Sequence, residues 1–291
     1  MNRSRPVAVD DDFLGDVHVY ERHKVGLPRL RPYFRELWRR REFALELSRS
    51  NLRSQHYATF FGQLWLILNP LLLGTVYYVL VAIIRHNPRG VEFLAHLLGG
   101  LFIFYFASNA INQGANSVVG GGRLILNTAF PRILLPISST LTAFMRFLPT
   151  LLIYAVAHTV AGLPVSWALL WTPALFLLIA VFVNGVASFF ATLQVYFRDT
   201  SSFLPYVVRM WLYLSPILWT LDDVTGVGVT LKPFLALNPL YPMLGAWGQI
   251  MNRGESPSAG FLLGSLAWAV GTAVVGTLFY VSREREFAVR L

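Results

Sequence analysis

Six stretches of about twenty apolar residues, none containing an Asp or Glu, run through this chain. They cover roughly 64–84, 93–119, 133–161, 167–196, 203–221 and 261–281. A helix rising ~1.5 Å per residue needs about 20 residues to cross ~30 Å of hydrocarbon. There every backbone N–H and C=O must be satisfied within the segment. The expected fold is therefore an all-α integral membrane protein with six transmembrane helices. Composition agrees, because 55% of the 291 residues are hydrophobic and only 13% charged.

A seventh apolar stretch, Pro233 to Met251, is interrupted by Pro233, Pro239 and Pro242, and reads as short re-entrant or interfacial helices before the last span. With six spans, 18 Lys and Arg fall on one side of the membrane and four on the other. That asymmetry places both termini in the cytoplasm. The first 25 residues hold Asp10, Asp11, Asp12 and Asp16 with no apolar run, so no signal peptide is expected. The net charge of +9 then answers to anionic headgroups, and nucleic acid is not an expected partner. Cysteine is absent, which excludes disulfides, thiolate metal sites and cysteine nucleophiles.

Two segments outside the spans carry pattern. Pro32 to Ser54 sets Phe34, Leu37, Trp38, Leu45 and Leu52 on one helical face, interrupted by Arg41 and Ser48, with Arg35, Arg39 and Arg40 largely elsewhere. This predicts an amphipathic helix in the cytoplasmic interface, either an anchor or a gate touching cargo headgroups. Gly120-Gly121-Gly122, then Arg123 to Phe130, then Pro131 predicts a break, two helical turns and a stop in the first cytoplasmic loop. A soluble partner could grip such a helix.

Within the spans the ionisable residues are Arg146 and Arg209, each costing ~2.5–3.5 kcal/mol with no carboxylate in any span as offset. Counted from the cytoplasmic helix ends they lie ~15 and ~12 Å deep. Two cations at one depth suit an anionic visitor, and guanidinium geometry suits a pyrophosphate, unless each bonds backbone carbonyls or snorkels to headgroups. A glycan would use aromatic faces and amides. Tyr77, Phe106, Tyr206 and Trp211 are candidates among many rings that face lipid, beside the polar stripe Asn109, Asn112, Gln113 and Asn116. The chain has only two lysines, Lys24 and Lys232, and neither sits in G-x-x-x-x-G-K-[ST], so ATP would be hydrolysed by another polypeptide. No catalytic or metal constellation stands out. Asp222-Asp223 is the one foothold for an enzyme acting on polyprenyl phosphates through a metal.

The run Ser48 to Leu71, SRSNLRSQHYATFFGQLWLILNPL, resembles the approach to the first membrane helix of ABC-2 type export permeases, at Arg53, Tyr57, Gly62, Trp65 and Pro70. Phe130-Pro131, Leu135-Pro136, Phe197-Arg198-Asp199, Ser215-Pro216-Ile217 and Asn238-Pro239 are similar to later motifs of that family, so the resemblance covers about residues 32–283. Length and the basic amphipathic N-terminus resemble the branch exporting lipid-linked polysaccharides: O-antigen, teichoic acid or galactan.

The resemblance implies a tail at 1–31, a gate-like helix in 32–63, a transmembrane domain over 64–281 and a cytoplasmic tail over 282–291. It also implies a homodimer with two copies of a separate ATPase that binds ATP and Mg, this chain holding no cofactor. Arg39, Arg40, Arg146 and Arg209 are then the pyrophosphate candidates. Arg123, Leu124, Asn127, Phe130 and Pro131 belong to the coupling helix. Many relatives carry a basic residue where this chain has Trp247 and Gln249. An exporter of drugs or hydrophobic small molecules is the alternative cargo reading, and 22 arginines beside two lysines, as in a high-GC genome, incline the glycan toward a galactan precursor.

Overall fold

The structure is a computed structural model that describes residues 27, 29–54, 61–85, 90–220, 235 and 237–291. Tyr57, the pair Asp222-Asp223 and most of the 1–31 tail lie outside the described residues. Regular structure among the described residues is entirely helical.

The interfacial segment is two helices, α1 (Leu30–Arg39) and α2 (Arg41–Ser54), where one was expected. Arg40 makes the joint, and its Nη1 donates to the Ala129 carbonyl at 2.6 Å, so the break is fastened to the loop at residues 128–133. Helix α1 leaves Phe34 and Trp38 exposed, as an interfacial helix would. Helix α2 packs on a membrane helix instead. Ser48, expected to interrupt the apolar stripe, is fully buried there, with its Oγ 2.9 Å from the Ser138 carbonyl. A small side chain lets the two backbones approach.

Helices α3 (Trp65–Arg85) and α4 (Val91–Gly120) follow, then the short α5 (Gly122–Asn127), α6 (Leu134–Val160) and α7 (Thr172–Tyr196). After α7 come α8 (Thr200–Leu214), α9 (Leu240–Asn252), α10 (Ala259–Arg283) and the terminal turn α11 (Phe287–Arg290). Five of these, α3, α4, α6, α7 and α10, are long and apolar enough to cross a membrane. The fifth expected span, 203–221, appears as the 15-residue α8, which at ~1.5 Å per residue is shorter than the hydrocarbon. It ends at Leu214 because a residue preceding proline is pushed out of the helical region. Ser215, before Pro216, is extended at φ −96°, ψ 149°.

Helix α4 is the centre of the bundle, between α6 and α7, and it contributes Leu97, Leu101, Ile103 and Ile111 to the core. Small residues set the closest crossings, as hydrocarbon-embedded helices require. Gly114 lies against Ala187, and a Cβ on Gly276 would collide with the Gly185 backbone, fixing α10 on α7.

Two sequence motifs meet in space beyond α8. Asn238 Nδ2 donates to the Leu214 carbonyl and to Ser215 Oγ, both at 3.1 Å. Its Oδ1 accepts from Trp211 Nε1 at 2.7 Å and from the Leu240 amide at 3.0 Å, which caps α9. One asparagine thus closes the end of α8 and opens α9. Most of α9 is buried, and it is one helix that runs through Pro242, where that proline was expected to interrupt the stretch, because proline is tolerated in the first turn.

Candidate cargo path and coupling surface

A cavity of about 430 Å³ lies between α3, α4 and α6, lined by Trp65, Asn69, Tyr105, Phe106, Asn109 and Arg146, among others. The Phe106 and Phe147 rings, 5.5 Å apart, brace its α4–α6 wall. Arg146 Nε and Nη2 are buried there and have no hydrogen-bond partner among the described residues. A carbonyl-bonded or snorkelling arginine would have spent those donors. Three predicted residues, Arg146, Phe106 and Asn109, are therefore brought together. Asn69 was missed, although an amide beside Pro70 inside an apolar run was the visible signal.

Arg209 does not line this cavity. It is exposed on α8, beside Tyr77 and Tyr105, and Tyr77 shares a hydrogen bond with Tyr213. Tyr105 also lines the Arg146 cavity, so one phenol of α4 stands between the two arginines. Tyr206 is exposed on α8. Trp211 is set apart from the cavity by its bond to Asn238 and its edge contact with Phe182, which give it a tethering role.

The asparagine stripe of α4 divides. Asn112 and Asn116 line a second cavity, of about 660 Å³, with Asn51 of α2 and with Arg123 and Leu124. Their amides donate to their own helix, Asn112 to the Ser108 carbonyl at 2.8 Å and Asn116 to the Asn112 carbonyl at 3.0 Å. Their side-chain carbonyl oxygens are acceptors suited to hydroxyl groups. Arg39 and Arg40 line neither cavity. Arg39 is exposed, 4.0 Å from Glu36, and Arg40 is taken up by Glu36 and Ala129.

In the loop between α4 and α6 the helix is α5, shorter than expected, and it stops where Thr128 turns extended. Gly121 keeps negative φ, and its value is room, since a Cβ would meet the Ser117 carbonyl at 2.8 Å. Arg123, Leu126 and Asn127 point outward. Phe130 packs on Phe43 of α2 at 5.0 Å, and Pro131 is buried.

Beneath this loop sits a buried carboxylate that the sequence did not single out. Glu284 accepts from the Tyr33 hydroxyl at 2.5 Å and from the Arg132 amide at 2.5 Å, while Arg132 Nη1 bonds the Glu284 carbonyl. Tyr280 completes the knot by donating to the Arg132 carbonyl at 2.9 Å. Burial, then the neighbouring Glu284 charge, hold the Tyr33 hydroxyl far above its usual range, so it remains a donor at physiological pH. The interfacial helix, the first loop and the tail are joined at one point.

No family model matches the chain. Over 240 residues, 80% of this chain and 91% of the relative, it is 28% identical to the O-antigen export system permease protein RfbA of Klebsiella pneumoniae. A second Klebsiella pneumoniae protein of that name is 27% identical over the same extent. RfbA of Myxococcus xanthus is 26% identical over 258 residues, 87% of this chain and 97% of that one.

Proposed function

We propose, from its similarity to the O-antigen export permeases of Klebsiella pneumoniae and Myxococcus xanthus, that the chain is the membrane subunit of an ABC-2 type exporter moving a polyprenyl-pyrophosphate-linked polysaccharide across the inner membrane. A separate ATPase, present in two copies and holding ATP and Mg, supplies the work to a homodimer of this chain, whose termini both face the cytoplasm. The glycan is of the O-antigen, teichoic acid or galactan type.

The observation that carries the cargo reading is the Arg146 guanidinium. Two of its donors lie buried and unpaired in a cavity that also offers the Asn69 and Asn109 amides and the Trp65 and Tyr105 rings. A desolvated fork of N–H donors favours a multiply charged oxyanion, and the amide and aromatic walls favour a sugar beside it. On this reading Arg146 holds the pyrophosphate and Arg209 with its tyrosines receives it on the α8 side. The carbonyl oxygens of Asn112 and Asn116 meet hydroxyls at the cytoplasmic base.

The test is export in cells carrying Arg146→Ala, with the ATPase recovered alongside the purified chain as control. Export is expected to fall about tenfold or more, the factor that 1.4 kcal/mol represents, with ATPase recovery unchanged. Unchanged export would remove Arg146 from the cargo path.

A further inference from the structure

The face carrying α5 is rich in charged residues. Arg123, Arg132, Arg198, Asp199, Arg283, Glu284, Arg285, Glu286 and Arg290 all belong to it, so it lies outside the hydrocarbon and lipid tails do not cover it. Yet Leu126, Phe197 and Val289 are 63%, 66% and 79% exposed there. They come from three separate segments: the first loop, the second loop and the tail.

Those segments form one body. Leu291 lies under Gly122, where a Cβ would touch it at 3.9 Å. Arg198 Nη2 donates to the Arg290 carbonyl at 3.3 Å, and the Arg290 guanidinium covers the Tyr196 ring at 4.2 Å. The Tyr196 hydroxyl donates to Glu286 at 2.5 Å, and Phe287 is fully buried, 5.1 Å from Tyr280. The tail is thus built into the surface that the two loops present.

We propose that residues 284–291 form part of the docking surface for the ATPase subunit, with Leu126, Phe197 and Val289 entering an apolar cleft of that partner. The inference rests on the exporter reading above and goes beyond it, because that reading assigns the contact to the first loop alone. Charge gives the chemistry of the cleft's edge. Glu286 is held by Arg283, Arg290 and Tyr196, which leaves Arg123 and Arg198 at the rim with no carboxylate of their own among the described residues. The partner's rim is accordingly acidic, and cations encircling exposed apolar side chains are the usual composition of a protein interface.

The test is in-cell photocrosslinking of the full chain with p-benzoylphenylalanine at position 126, 289 or, as control, 165. Val165 is 74% exposed in the connection between α6 and α7, at the opposite end of those helices. Adducts to a P-loop ATPase are expected at 126 and 289 and not at 165. An adduct at 126 without one at 289 overturns the tail's role and leaves the exporter reading standing. No adduct at either overturns both, and an adduct at 165 as well overturns the assignment of the surface. Val289→Asp is exposed enough to leave folding intact, and it should lower ATPase recovery on the purified chain about tenfold. Full recovery in that variant would also overturn the proposal.

Discussion

The hydroxyl of Tyr33 donates to the carboxylate of Glu284 at 2.5 Å, across 251 positions of the chain. Replacing Tyr33 by Phe leaves a buried carboxylate short of a donor, a loss of ~1–3 kcal/mol. Limited trypsinolysis in mild detergent should then cut faster at Arg29 and Arg35. Because the folded-state pKa of Tyr33 is raised above its ordinary 10.0, the contact is fully present below pH 10 and is lost only as pH climbs beyond it. Wild-type cleavage rates should therefore vary between pH 6 and 9 only as far as the protease itself does.

Arg146 should show opposed effects on stability and transport. A half-buried cation with two buried donors unpaired costs the fold, so Arg146→Met should raise the thermal midpoint in detergent while lowering export. A lower midpoint in Arg146→Met would mean that the guanidinium is stabilised in place.

The crossing of α7 and α10 has no room for a methyl group at Gly276, which would land on the Gly185 backbone. Gly276→Ala should cost more than Gly271→Ala, whose Cβ would meet nothing within 4 Å. Monodisperse yield by size-exclusion chromatography measures the difference.

The Asn238 side chain has four hydrogen-bond partners, and Asn238→Ala removes all four. The chain contains no cysteine, so a single Cys at Leu214 reports the end of α8 without background. Its maleimide labelling rate should rise several-fold in the Asn238→Ala variant, because α8 loses its closing contacts.

The membrane class was legible because apolar length is a local property, and Pro239 marked the start of α9, although Pro242 lies inside that helix and does not interrupt it. The extent of the fifth span was not. Hydropathy continues through Ile217 and Leu218, while the helix is ended by a single residue preceding proline. Ser48 read as a flaw in an amphipathic stripe because sequence shows which face is apolar and not which face meets another helix. Arg146 announced itself by being a cation among apolar residues. Glu284 did not, because in the run Arg283 to Glu286 a carboxylate looks like one more solvated charge. Its burial depends on Tyr33 and Arg132, which no local pattern connects to it.

The knot at Glu284 also orders the molecule in time. Tyr33 and Arg132 are both synthesised long before it, so the interfacial helix and the first loop leave the ribosome without their common acceptor. The face carrying α5 can reach its final form only after α10 and the residues following it have been made. A nascent or prematurely terminated chain would present α5 unfastened, so complete biosynthesis is itself a checkpoint for assembly.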